Sequence, residues 1–405
     1  MTDIDSWTVS LATWGLAQLV TGLSVALIPP QSSLRSVATA VVIVLASSFQ
    51  SQVNGCFEDT RIGGPLAAMC WVNVLNAIDL LVLSRVSYDA QRQWDRKEHG
   101  KHDATTTTEA WVKNLIWSQT VAFNYRRIGT PWQIRGLPTC GDGEDRVAPS
   151  RGRYLLFCAL KVVVSVVVVQ LFTVDATDPY LGGVFLETSD SKVVLVPGLH
   201  WVGRRMLIRV LFTISFAVVC RFAILGGYNL TAVIAVGAGI HDPADWPPIS
   251  NALTESWSLR RLTGWHQLLR RLLTSNAEFL TRTALRIPRR SSLAFPACVF
   301  FTFFLSGLFH TQMDLAFGVP IDKSGAIYFF TLQGVGMILE TAVQDVFRER
   351  IRSMDIFWKK AIGYVWVGAF LLWTLPVWLY PINLQLYRDG QRLISPFLLF
   401  PSRPL

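Results

Sequence analysis

Residues Leu293–Gln312 read LAFPACVFFTFFLSGLFHTQ, a stretch without a single aspartate, glutamate, lysine or arginine. An α-helix rises about 1.5 Å per residue, so roughly 20 apolar residues cross the hydrocarbon core of a bilayer. This one is long enough to span, and it is apolar on every face, unlike the striped helices of soluble domains. Comparable runs recur in both directions along the chain: Trp7–Ile28, Ser36–Val53, Pro65–Leu83, Tyr154–Thr173, Met206–Leu225, Ala326–Val343 and Ala361–Tyr380. Another run, Tyr228–Ile240, is short for a span, and Gly227, Gly237 and Gly239 suit a re-entrant or interfacial segment. The sequence therefore predicts a single all-α membrane-embedded domain over residues 1–405, a polytopic transmembrane helical bundle of about eight spans plus that segment.

Composition and charge agree. Hydrophobic residues make up 51% of the 405 and charged residues 16%, too apolar for an ordinary soluble domain. The net charge of +9 is concentrated in two loops. Loop 85–153 carries Arg92, Arg96, Lys97, Lys101, Lys113, Arg126 and Arg127, and loop 241–292 carries Arg260, Arg261, Arg270, Arg271, Arg282, Arg286, Arg289 and Arg290. Basic loops face the cytosol, so the charge reads as topology and no nucleic-acid partner is expected. Tyr154–Thr173 and Met206–Leu225 supply the two spans that must separate these loops, which puts both termini outside. Asp3 and Asp5 stand where a signal peptide would carry basic residues, so the first helix is expected to stay in place. Within the first loop, Asp95–Glu109 reads as a solvated linker. Trp111–Pro138, with Trp111, Trp117, Phe123, Tyr125 and Trp132, reads as an interfacial amphipathic stretch. Cys56, Cys70, Cys140, Cys158, Cys220 and Cys298 show no metal-ligand spacing and read as small apolar fillers; no metal is expected.

Polar groups inside apolar helices are costly, so each is a candidate for function. His310 ends the run Phe300–Phe309. Ser306 and Asp314 lie one helical turn to either side, and Gly307 stands three residues back. A hydroxyl or carboxylate neighbour can fix the imidazole tautomer, and a glycine admits a substrate or another backbone. The plain alternative is an interfacial histidine that satisfies hydrogen bonds near a helix end, and the residues alone leave both open. In Ser258–Arg271, helical spacing would put Trp265, Leu268, Leu269 and Leu272 on one face, with Arg260, Arg261, Arg270 and Arg271 available to phosphates. The same pattern also describes a helix lying on a membrane surface. Asn73, Asn76 and Asp79 recur every third residue in the third span, to line a polar cavity or to bond a neighbouring helix. Arg209 and Arg221 suit snorkelling to the two interfaces.

Several of these pieces stand in a particular order: Arg127-Ile128-Gly129-Thr130-Pro131-Trp132, Asp245-Trp246-Pro247-Pro248, Ser258-Leu259-Arg260-Arg261, Trp265-His266-Gln267 and Ser306-Gly307-Leu308-Phe309-His310, followed by Gln333 and Glu340. The succession resembles the wax-synthase-like branch of the membrane-bound O-acyltransferases, from about residue 124 to the end. Where that branch carries a Phe-Trp pair before its Trp-His, this chain has Leu262-Thr263-Gly264 and is shorter. The resemblance implies a catalytic pair of His310 and His266. It implies a substrate surface of Trp265, Gln267, Ser306, Gly307, Asp314, Gln333 and Glu340, with the four arginines 260, 261, 270 and 271 on the phosphates of CoA. No bound cofactor is implied; acyl-CoA is a co-substrate, and the acceptor is a small lipophilic alcohol. Relatives of this size and motif order acetylate terpenoid or meroterpenoid hydroxyls in fungal secondary metabolism, in a bilayer such as the endoplasmic reticulum.

No Gly-x-Ser-x-Gly elbow is present, which favours direct transfer over a covalent acyl-enzyme. Three other functions fit part of the pattern. A long-chain wax-ester synthase would share every motif. A transporter would call for inverted repeats or paired broken helices, which the sequence lacks. A membrane terpene cyclase needs only a buried carboxylic acid, and Asp79 or Glu340 would qualify.

Overall fold

The structure, a computed structural model, describes residues 3–56, 60–100, 107–137, 150–176, 204–249, 253–263 and 267–395. In chain order its elements are α1 (Asp3–Leu27), α2 (Leu34–Cys56), α3 (Thr60–Ala77), α4 (Tyr88–His99), α5 (Thr107–Phe123), α6 (Arg151–Leu171), β1 (Thr173–Val174), α7 (Arg204–Gly237), α8 (Leu259–Thr263), α9 (Arg270–Phe279), α10 (Ala294–Ala316), α11 (Ala326–Val346), α12 (Arg348–Ser353), α13 (Ile356–Thr374), α14 (Pro376–Arg388) and β2 (Leu393–Ile394). α3 and α9 each run on into a π-helical turn, Ile78–Leu83 and Leu280–Ala284. Among the described residues, 8 helical stretches are long and apolar enough to cross a membrane: α1, α2, α3 with its π turn, α6, α7, α10, α11 and α13. The chain is a multi-pass, all-α membrane protein.

Three expected boundaries change. Tyr228–Gly237 is no separate re-entrant segment but the end of α7, a continuous 34-residue helix. Glycine weakens a helix without stopping it, and Gly226 earns its place by close packing, since a Cβ there would meet Ser165 of α6. At about 51 Å, α7 exceeds the hydrocarbon core, so its end projects or the helix tilts. The last span starts earlier than read, at Ile356, where the Asp355 side chain caps Phe357 N at 2.7 Å. It ends at Thr374, because Pro376 cannot continue the ladder and instead opens α14. The expected linker is helical as far as His99, with Gln91 donating to Asp95.

The chain divides into two compact units. In the first, Met1–Gly136 with Gln267–Gly318, α1, α2, α3 and α10 pack through small residues such as Ala17, Ala46, Ala67, Cys70 and Ala316. Small side chains bring helix backbones together where lipid supplies no hydrophobic drive. The buried Arg35 closes the α1–α2 turn by donating to the carbonyls of Ile28 (2.9 Å) and Val86 (2.9 Å). α5 packs along α1. It runs antiparallel to α1: Asn114 donates to Ala26 O, Gln119 donates to Leu19 O, and Phe123 meets Trp14 edge-on. Segment 124–136 therefore starts beside the middle of α1, at membrane depth.

That placement puts Arg127 beside Asp79, both fully buried, with Nη2 3.1 Å from Oδ2. Arg127 also donates to Asn76 Oδ1 (2.7 Å) and to the carbonyls of Val121 and Asn124. Arg271 joins from α9: Nε lies 3.6 Å from Asp79 Oδ2, Nη1 donates to Trp132 O and Nη2 to Ser84 Oγ. Ser84 in turn donates to Asp79 Oδ1 at 2.8 Å.

In the second unit, Leu137–His266 with Val319–Leu405, α6 packs along α7, and β1 pairs antiparallel with β2 through Thr173↔Ile394 and Val174↔Leu393. The Asp-Trp-Pro-Pro segment is tied to both helices, since Tyr154 donates to Trp246 O and Tyr228 to Pro247 O. Residues 253–263 form a strap against α11 and α13. Leu259 packs on Val367 and Phe370. Two glycines admit the strap: a Cβ on Gly336 would meet Leu259 and Phe370, and one on Gly363 would overlap the Trp257 carbonyl.

Removing one partner of a buried ion pair strands the other. Asp79→Ala is expected to cost about 3–5 kcal/mol of stability in detergent unfolding, with only part of it recovered when Asp79→Leu and Arg127→Met are combined, because Arg271 and Asn76 still lose their partners.

Candidate functional site

α10 carries His310 six residues before its last residue, at the end of the apolar run Phe300–Phe309. Its Nδ1 lies 2.8 Å from the backbone carbonyl oxygen of Ser306. A carbonyl oxygen only accepts, so Nδ1 carries the proton, and in the neutral ring Nε2 holds the lone pair. The main-chain carbonyl of Ser306, one turn back, therefore holds the Nδ1 proton and fixes the tautomer. The imidazole is half-buried and lies 4.3 Å, centroid to centroid, from the ring of Phe309. Ser306, Gly307 and Asp314 are all buried on the same helix, and Thr311 donates back to Gly307 O at 3.0 Å.

The first unit gathers several of the motifs around this helix. Phe309 packs with Tyr125 from segment 124–136, with Leu272 of α9, and with Ala68 and Val72 of α3. Tyr125 donates to Asn73 Oδ1. Gln267 is buried and donates from Nε2 to Gly136 O at 3.0 Å, joining the stretch that leads into α9 to the end of segment 124–136. Residues 267–269 are not helical, so the face expected from Trp265 to Leu272 does not form as one helix. Arg270 is exposed, whereas Arg271 is engaged by Asp79, Ser84 and Trp132 O. Its guanidinium is held by the fold in the same way that Arg261 is held by Glu255.

In the second unit Gln333 donates to Thr374 Oγ1 at 3.0 Å, both residues buried. Glu340 Oε2 accepts from Leu259 N (2.7 Å) and from Trp366 Nε1 (3.0 Å). Arg260 is exposed; Arg261 pairs with Glu255 at 2.7 Å and lies 4.4 Å over the Trp257 ring. A hydrogen bond from Lys360 holds the Glu255 carboxyl below its usual range. Trp265 and His266 lie outside the described residues. Arg209 is buried instead of reaching an interface.

The sequence did not pair Asp79 with Arg127, nor Glu340 with Leu259 and Trp366. An intramembrane carboxylate calls for a cation or several N–H donors, and that rule was the available signal. It also bears on the cyclase reading: Asp79 meets guanidinium groups and Glu340 receives N–H donors, so both are set up as acceptors and not as proton donors. Among the described residues no group of histidine, cysteine, aspartate and glutamate could hold a metal ion.

Residues 246–332 match the membrane bound O-acyl transferase family. The chain is 29% identical to the acetyltransferase aurG of Calcarisporium arbuscula, over 67% of this chain and 66% of aurG. It is 28% identical to the acetyltransferase spyB of Aspergillus fumigatus, over 65% of this chain and 47% of spyB. It is 30% identical to the acetyltransferase ataH of Aspergillus terreus, over 71% of this chain and 93% of ataH. The match thus spans about half to two thirds of the first two relatives and nearly all of the third. No solved structure matches the chain. The ordered motifs, the apolar helix bearing His310 inside the matched region, and the near-complete coverage of ataH lead to one conclusion: the chain belongs to the membrane bound O-acyl transferase family of enzymes.

Proposed function

We propose that the chain transfers an acetyl group from acetyl-CoA to a hydroxyl of a lipophilic terpenoid or meroterpenoid in secondary metabolism, with His310 as general base. The observation that carries this reading is the Nδ1 hydrogen bond to Ser306 O, which leaves the lone pair on Nε2. The acetyl donor is supported by the names of the relatives, all acetyltransferases. The endoplasmic reticulum is the proposed membrane, since cytosolic acyl-CoA and lipophilic products meet there.

A thioester is already activated, so the enzyme must orient an alcohol, accept its proton and support the oxyanion. His310 Nε2 takes the hydroxyl proton as the alcohol oxygen attacks the acetyl carbonyl. The tetrahedral intermediate collapses with cleavage of the C–S bond, the CoA thiolate leaves, and the proton on Nε2 returns to it. The products are the acetate ester, CoA thiol and neutral His310. His266 or Gln267 orients the acceptor or polarises the carbonyl. Beside His310, Ser306, Gly307 and Asp314 are the proposed substrate contacts of the first unit; in the second, the resemblance gives Gln333 to the substrate and Arg260 and Arg261 to the phosphates.

Two outcomes follow in microsomes supplied with radiolabelled acetyl-CoA and lipophilic alcohols. His310→Ala lowers kcat by about a hundred- to ten-thousandfold with KM for acetyl-CoA little changed; an unaltered rate removes His310 from the chemistry. Initial rates with both substrates varied give intersecting double-reciprocal lines. Parallel lines, or a trapped acyl-enzyme, would show a covalent intermediate instead.

A further inference from the structure

The strap 253–263 lies along α11 and α13, with Leu259 fully buried against Val367 and Phe370, more than halfway along the nineteen-residue α13. Irregular backbone at such depth cannot find water, so its N–H groups need protein acceptors. Leu259 N, the first amide of α8, finds one in Glu340 Oε2, and the same oxygen accepts from Trp366 on α13. Three elements therefore meet on one carboxylate oxygen. The outer side of the strap is fixed independently: Lys360 and Arg261 both reach Glu255, and Tyr364 donates to Thr254 O at 2.6 Å. Arg260 follows directly on the amide that Glu340 holds, and it is exposed.

We propose that Glu340 is a positioning residue for acyl-donor binding: by capping Leu259 it fixes the turn from which Arg260 meets the phosphates of CoA. The proposal rests on the acyl-CoA reading above. Glu340→Ala leaves Leu259 N unmatched and lets the turn shift, weakening donor binding while the alcohol site is untouched. Glutamine at 340 keeps an acceptor oxygen of the same reach and preserves much of the contact.

The test compares wild type, Glu340→Ala, Glu340→Gln, Arg260→Ala and the Glu340→Ala/Arg260→Ala double variant, measuring CoA binding by calorimetry and KM for acetyl-CoA and for the alcohol. Expected is a rise of about ten- to a hundredfold in CoA Kd and acetyl-CoA KM for Glu340→Ala, substantially rescued in Glu340→Gln, with the alcohol KM unmoved. The double variant should be no weaker than the poorer single one, because both act on one contact. A rise in alcohol KM, additive effects of the two substitutions, or lowered unfolding temperature with unchanged Kd and KM would overturn the positioning role. Wild-type protein that binds no CoA would overturn the acyl-donor reading itself, and this inference with it.

Discussion

Backbone that leaves the helical pattern inside a membrane must find all its hydrogen-bond partners within the protein, and this chain meets that demand with carboxylates placed on its spans. Asp79, at the π turn that ends α3, gathers Arg127 and Arg271 and accepts from Ser84. Glu340, on α11, accepts from the strap amide of Leu259 and from Trp366. Each would be an expensive charge to bury alone. Each is tolerated because its partners belong to segments that would otherwise carry unsatisfied groups of their own.

Both loops that the charge pattern assigned to the cytosol therefore contribute residues at membrane depth. In the first unit this brings Tyr125 and Leu272 against Phe309, next in sequence to His310, and brings Gln267 to Gly136. The order of motifs along the chain thus has a physical meaning, because landmarks far apart in sequence pack around the helix bearing the histidine. On that helix the decisive contact is made by backbone. A main-chain carbonyl cannot change its protonation, so it fixes the imidazole tautomer more firmly than a serine hydroxyl would, since a hydroxyl can either donate or accept.

Spans were legible in the sequence because length and absence of charge determine them almost alone, and Ala326–Val346 or Leu34–Asn54 differ from the reading only at their ends. Glycine misled at Tyr228–Ile240, since a helix packed closely on a neighbour tolerates glycine where an isolated one would fray. Pro376 misled less: a proline inside an apolar run marked a boundary that hydropathy alone ran across. His310 was visible as a polar group in an apolar stretch, yet its bond to Ser306 O was not, because periodicity places side chains and says nothing of which atom they meet. Arg271 looked like its neighbour Arg270. Only the fold separates the exposed guanidinium from the one committed to Asp79.

Catalysis by His310 requires a neutral ring with its proton on Nδ1. The most direct measurement is nitrogen NMR on protein labelled with ¹⁵N-histidine, the His310 signals being assigned by their loss in His310→Ala. The expected spectrum at neutral pH shows a protonated Nδ1 and an unprotonated Nε2. A spectrum with the proton on Nε2, or with both nitrogens protonated, would contradict a general base at this position.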